Sequence, residues 1–223
     1  MAEVTRMRLA SNSPRRRELM TLGNWVVSSW VPQVDETRSA GEAPADYVVR
    51  LAATKARAAL ADSSAETLIV AADTAVVDGE AVLGKPIDAA DAQRMLKQLR
   101  GRAHRVYTGL AVLSPASRQM ETDVCVTDVP MRDYQDREIR DYVASGDPLD
   151  KAGAYGIQHR DFRPVVDLRG CFASVMGLPL CHLLRLLARL PVAPQPELPS
   201  RCQRHLNYDC PVSDAILRGE PVG

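Results

Sequence analysis

The chain has 223 residues, long enough for one large domain or two small ones, and 46% of them are apolar, so it can bury a sizeable core without disulfide help. Its 28 Lys and Arg balance 28 Asp and Glu, whereas a protein that binds nucleic acid through its phosphates usually carries a basic excess, so any positive charge must act locally. No run of about 18 apolar residues spans a membrane, Met1 to Asn12 lacks the apolar core of a signal peptide, and five cysteines without a CxxC pair argue against a disulfide framework; the expectation is a soluble, cytoplasmic protein.

In chain order, Arg8–Ala10 is a strand candidate, and Ser13-Pro14 reads as an N-cap followed by proline at the first helical position, with a helix to about Leu22. Residues 45–61 carry Val48, Leu51, Ala52, Ala56, Ala59 and Leu60 at helical spacing. Leu68–Ala72 is a continuous apolar run, expected as an interior strand that ends before Asp73. Asp78-Gly79, between Thr74–Val77 and Glu80–Leu83, is the strongest hairpin signal. Asp88 caps a predicted helix with apolar face Ala92, Met95, Leu96 and Leu99, stopped by Gly101. Residues 104–113 and 120–130 read as strands, Asp136–Ser145 as a helix ended by Gly146, and 179–190 as the last amphipathic helix. Alternating strands and helices with a hairpin among them predict an α/β (α+β) domain with a mixed sheet over residues 1–190. The Pro-rich stretch Pro191–Pro199 then opens an extension, 191–223, with little core of its own.

Several polar residues stand where the elements do not need them. Arg15, Arg16 and Arg17 occupy the first turn of the predicted helix after Ala10, where cations oppose the helix dipole; a bound phosphate would neutralise them, and a solvated basic turn is the plain alternative. Asp73, directly after the apolar run, is a poor strand residue and reads as a metal ligand, a general base or a loop cap. Glu36 offers a second carboxylate, and two acids beside a phosphate site suit Mg²⁺. Lys55, Lys85 and Lys151 complete a set of cations able to clamp a polyphosphate, or are surface lysines. Cys202, His205 and Cys210 in the extension have a spacing too irregular to argue for zinc.

The segments LASNSPRRRELM (9–20), VDE (34–36), LAATKARA (51–58), AADTAVVDGEAVLGKP (71–86), LRGRAHRVYTG (99–109), DKAGAYGIQ (150–158) and VMGLPL (175–180) together resemble the Maf family of nucleotide pyrophosphatases, in family order across most of residues 7–190. The resemblance implies an elongated mixed sheet with helices around it and a deep cleft between two lobes, similar to inosine-triphosphate pyrophosphatases. It also implies a divalent cation such as Mg²⁺, cleavage of a nucleoside triphosphate between its α- and β-phosphates, and a homodimer that binds neither nucleic acid nor membrane. By the same resemblance Asp73 is the catalytic proton acceptor and, with Glu36, a metal ligand, while Ser11, Arg15, Arg16, Lys55, Lys85 and Gln158 fall on cleft positions. Arg15, Thr74 and Gln158 stand where the branch acting on dTTP and UTP has Arg, Thr and Gln, and the branch acting on 7-methyl-GTP tends to have Trp, Gln and Glu. The amide of Gln158 offers a donor and an acceptor, matching the imide edge of uracil or thymine. His159–Arg163 and Cys171–Ser174 depart from the family pattern, and the altered loop after Gln158 keeps a 7-methyl-GTP or broad-range enzyme as an alternative; the link of Maf-like proteins to arrest of cell division keeps a nucleotide-sensing regulator as another.

Overall fold

The computed structural model describes residues 5–220 and 222. Six strands form one mixed sheet: β1 (Arg6–Ala10), β2 (Val26–Trp30), β3 (Thr67–Asp78), β4 (Ala81–Leu83), β5 (Ala103–Leu113) and β6 (Met120–Pro130). The order is β2-β1-β3-β5-β6, with β4 on β3. β1 runs parallel to β2 and β3, while β4 and β5 run antiparallel to β3, as does β6 to β5. The mixed α/β architecture expected from the sequence is the one found.

Strand β3 is buried on both faces, which explains its unbroken apolar run. Ile69, Ala71, Ala75 and Val77 pack toward α2 (Pro44–Ala58), and Val70, Ala72 and Val76 join the larger core on the other face. That larger core is closed by α1 (Pro14–Met20), α3 (Ala89–Leu99), α4 (Asp136–Ala144), α5 (Phe172–Val175) and α6 (Leu180–Leu187), through residues such as Leu19, Leu96, Ile139, Ala173 and Leu183. Ser13 caps α1 by accepting from Arg16 N, and Asp88 caps α3 by accepting from Asp91 N. Gly79, at φ 62°, turns β3 into β4.

Three points differ from the sequence reading. The apolar strand does not stop at Ala72: β3 continues through Asp73 to Asp78, so Asp73 is a strand residue and not the first residue after one. Strand β2 lies at the sheet edge with its side chains largely exposed, and its short stretch lacks the apolar alternation that would mark it. The extension holds two helices, α7 (Leu198–Leu206) and α8 (Ser213–Leu217), whose buried Leu198 and Ile216 add to the body of the domain.

Among the described residues no helix is long and apolar enough to cross a membrane.

Candidate active site

The sheet itself creates the site. On one edge β3 pairs with β1 only as far as Val70 and with β4 only from Val76, so Ala71–Ala75 has no strand neighbour on that side. The gap opens where β1 ends and the chain leaves as the Ser11–Ser13 loop. This is a crevice at the carboxyl end of a parallel strand, where ligands of open α/β sheets bind. A cleft of about 700 Å³ occupies it, within the usual range for small-molecule sites.

Strand alternation sends successive β3 side chains to opposite faces. Asp73 meets α2, where the Lys55 ammonium lies 2.5 Å from its Oδ1 and 2.6 Å from Oε1 of Glu36. The two carboxylates predicted to converge do so, on one buried lysine. α2 approaches this closely because Gly109 lies opposite Asp73 on β5: a Cβ there would sit 2.4 Å from the carbonyl carbon of Val48. Tyr47, also on α2, donates from its hydroxyl to the Glu36 carbonyl at 2.9 Å and so fixes the loop that carries the second acid. Burial pushes the Asp73 carboxyl above its ordinary pKa, and the Lys55 and Arg16 charges work against that rise.

Thr74 faces the other way, into a chain of hydrogen bonds. Arg16 Nη2 donates to Thr74 Oγ1 (3.0 Å), which lies 3.0 Å from Thr108 Oγ1; Thr108 in turn donates to the Ser174 carbonyl (2.9 Å). The same guanidinium donates from Nη1 to the Ala72 carbonyl (2.7 Å) and Ser11 Oγ (3.4 Å), and from Nε to the Gly177 carbonyl (2.8 Å). Arg16 thus stands in for the missing strand neighbour of β3. A Cβ on Gly177, at φ 102°, would lie 3.0 Å from Arg16 Nε, so this residue leaves the guanidinium its place.

Of the residues singled out by sequence, Ser11, Arg15, Arg16, Glu36, Lys55, Asp73, Thr74, Lys85 and Lys151 all line the cleft. Gln158 does not; it is exposed, and its amide makes no hydrogen bond among the described residues. Lys151 is buried and held by Asp147 and Asp150. Arg15 and Lys85 have no ion-pair partner among the described residues. Six cations (Arg15, Arg16, Arg17, Lys55, Lys85, Lys151) face three carboxylates (Glu36, Asp73, Asp150), a local net charge of +3 in a chain whose total is zero. Sequence reasoning did not single out Tyr47, Thr108 or Gly177. The last two lie inside quoted segments but look like ordinary strand and loop residues, and nothing in the sequence marks their partners.

Residues 6–190 match the family model described as "Maf-like protein". The chain belongs to the Maf family. Among curated relatives, a dTTP/UTP pyrophosphatase of Anaeromyxobacter dehalogenans is 47% identical, covering 82% of this chain and 93% of that protein. Those of Pelotomaculum thermopropionicum (44%; 81% of this chain, 94% of that protein) and Vibrio cholerae (43%; 82% and 97%) carry the same name. Among solved structures, the Staphylococcus aureus Ham1 protein overlaps 57% of this chain and 72% of that chain, at TM-score 0.42 and 15% identity. The Maf match ends at Leu190, so α7 and α8 lie outside it.

Among the described residues no group of three or more His, Cys, Asp or Glu is arranged to hold a metal ion. The carboxylates of Asp73 and Glu36 form a smaller set. Lys55 engages one oxygen of each, while Asp73 Oδ2 and Glu36 Oε2 make no hydrogen bond among the described residues. Two carboxylate oxygens fit Mg²⁺ that takes its remaining ligands from water and phosphate.

Proposed function

We propose that this Maf-family protein hydrolyses dTTP and UTP to the monophosphate and pyrophosphate. The observation that carries the reading is the buried Asp73–Lys55 pair joined by the exposed Glu36, in a cleft of net charge +3. A triphosphate carries about four negative charges at neutral pH, and positioned cations are the expected means of stabilising charge in phosphoryl transfer.

In this reading Arg15 and Lys85, which have no ion partner among the described residues, take the outer phosphate oxygens. Arg16 keeps its bonds to Ala72, Thr74 and Gly177 and acts through its charge and by holding the crevice open. Asp73 accepts the proton of the attacking water as that oxygen bonds to the α-phosphorus. The bond from the α-phosphorus to the bridging oxygen breaks, and pyrophosphate leaves with the electron pair. Lys55 holds the carboxylate of Asp73 in place and offsets its charge. Mg²⁺ held by Asp73 and Glu36 would supply neutralisation of the leaving charge and a bound water of lowered pKa.

Pyrophosphate release should be assayed with dTTP, UTP, CTP and 7-methyl-GTP, with and without Mg²⁺. Turnover of dTTP and UTP that needs the metal, reduced about 10²–10³-fold in Asp73→Asn, is expected. Release from 7-methyl-GTP alone, or none from any nucleotide, would defeat the proposal.

A further inference from the structure

We propose that α7, from the extension outside the Maf match, is an outer brace for the cleft wall made by α1 and α5, and that His205 and Tyr208 are positioning residues setting the affinity for the triphosphate. This rests on the functional reading above.

On the cleft side the two helices are tied by Arg16, which reaches from α1 to the Gly177 carbonyl just beyond α5 at 2.8 Å. On the outer side both are tied to the extension. His205 Nε2 lies 2.7 Å from Oε1 of Glu18 on α1. Gln195 grips the backbone just after α1 at two points, accepting from Asn24 N (3.0 Å) and donating to Asn24 O (3.2 Å). The Tyr208 hydroxyl lies 2.8 Å from the Gly170 carbonyl and 3.0 Å from that of Leu168, and its ring sits 5.5 Å from Phe172, the first residue of α5. Leu198, 1% exposed, roots α7 in the core between these ties.

The braced elements need such support. α1 has only seven residues, three of them consecutive arginines near its start, with no acid in its first turn. Cations there oppose the helix dipole, and a helix this short does not hold itself. α5 has four residues. Yet Arg15 and Arg16 on α1, and Val175 and Met176 at the end of α5, all line the cleft. Without the outer ties the two helices would pivot about the Arg16–Gly177 bond, and the triphosphate would have to bear the cost of ordering them. Neither His205 nor Tyr208 lines the cleft, so the effect belongs in KM and not in kcat.

The test is the double variant His205→Ala/Tyr208→Phe, assayed with dTTP and Mg²⁺ well below its unfolding temperature. KM should rise roughly five- to tenfold, about what one net hydrogen bond of ordering is worth, with kcat within about twofold. His205→Gln, which keeps a donor toward Glu18, should stay near the wild-type KM. Ile216→Ala serves as a control: it loosens α8, which makes no hydrogen bond to α1 or α5 among the described residues, and should lower the melting temperature with KM unchanged. Calorimetric titration with inorganic tripolyphosphate gives a readout independent of turnover, and the double variant should bind it correspondingly more weakly. If the double variant keeps wild-type KM and tripolyphosphate affinity, or if Ile216→Ala raises KM as much, the brace is refuted. If the wild-type protein neither cleaves dTTP nor binds tripolyphosphate, the functional reading fails first and the brace falls with it.

Discussion

Lys55→Met isolates the charge at the centre of the site, because it keeps an unbranched apolar stem out to Cε and removes the ammonium. That ammonium lies 2.5 Å from Asp73 and 2.6 Å from Glu36. Removing one partner of a buried ion pair costs about 3–5 kcal/mol. The Glu36 side chain is 59% exposed, so its share is screened to little, and the loss falls on Asp73, whose side chain is only 11% exposed. The orphaned carboxylate has an escape in taking up a proton. From the ordinary value of 3.8 this costs about 4 kcal/mol at pH 7 and under about 2 kcal/mol at pH 5. Burial already raises the Asp73 pKa, so both figures are ceilings, and a destabilisation of about 3 kcal/mol at pH 7 is expected. The sign follows directly: acidification protonates Asp73 in the variant, so the deficit relative to wild type must shrink. Urea unfolding at pH 7 and pH 5 measures it. Lys55→Met/Asp73→Asn, which removes both charges, should recover most of the stability while remaining inactive. A deficit equal at both pH values, or a double variant no more stable than the single one, would show that the pair does not carry the energy assigned to it.

Other outcomes follow from neighbouring residues. Because burial raises the Asp73 pKa in the metal-free site, its carboxyl should titrate above the ordinary 3.8 in side-chain carboxyl NMR without Mg²⁺; a value at or below 3.8 would mean that the Lys55 and Arg16 charges outweigh burial. Burial pushes the His104 pKa down to about 4 from its ordinary 6.5, so the unfolded chain binds the extra proton between those values. Stability should therefore rise by roughly 3 kcal/mol from pH 4 to 6.5, and His104→Phe should flatten that limb in pH-dependent urea unfolding. Gly109→Ala would set a Cβ 2.4 Å from the backbone of Val48 and force α2 outward. It should cost about 1–3 kcal/mol by thermal unfolding and lower dTTP turnover, because Lys55 moves with the helix; a wild-type melting temperature would mean that the contact is slack.

Where local chemistry suffices, the sequence was legible. Ser13-Pro14 starts α1, Asp78-Gly79 turns β3 into β4, and Asp88 caps α3, each through interactions within a few residues. The convergence of Glu36, Lys55 and Asp73 was expected from acids and cations in family order, and the structure brings them together. What could not be read depends on distant partners. Asp73 looked like the end of a strand because a carboxylate in a buried strand needs a counter-charge, and that charge comes from a different element, α2. The extension looked coreless because it is; Leu198 and Ile216 borrow the core of the body, and hydrophobic patterning within 33 residues cannot show a debt to residues 18, 24 and 170.

The three consecutive arginines make the same point about function. In sequence Arg15, Arg16 and Arg17 are equivalent charges, yet the fold gives Arg16 four protein acceptors, from Ala72 and Thr74 to Ser11 and Gly177, and leaves Arg15 with no ion partner among the described residues. A guanidinium so occupied cannot also wrap a phosphate without giving up bonds that hold β3, α1 and the turn after α5 together. Its charge still acts across the cleft, while its geometry is committed to the protein. The cations therefore divide into those that shape the site, Arg16 and Lys55, and those with donors to spare, Arg15 and Lys85. A rigid, prepaired set close to the acids keeps the attacking side fixed, and a less committed set can follow the polyphosphate as charge moves toward the leaving group. That division follows from which donors are already used, which counting positive residues along the chain does not disclose.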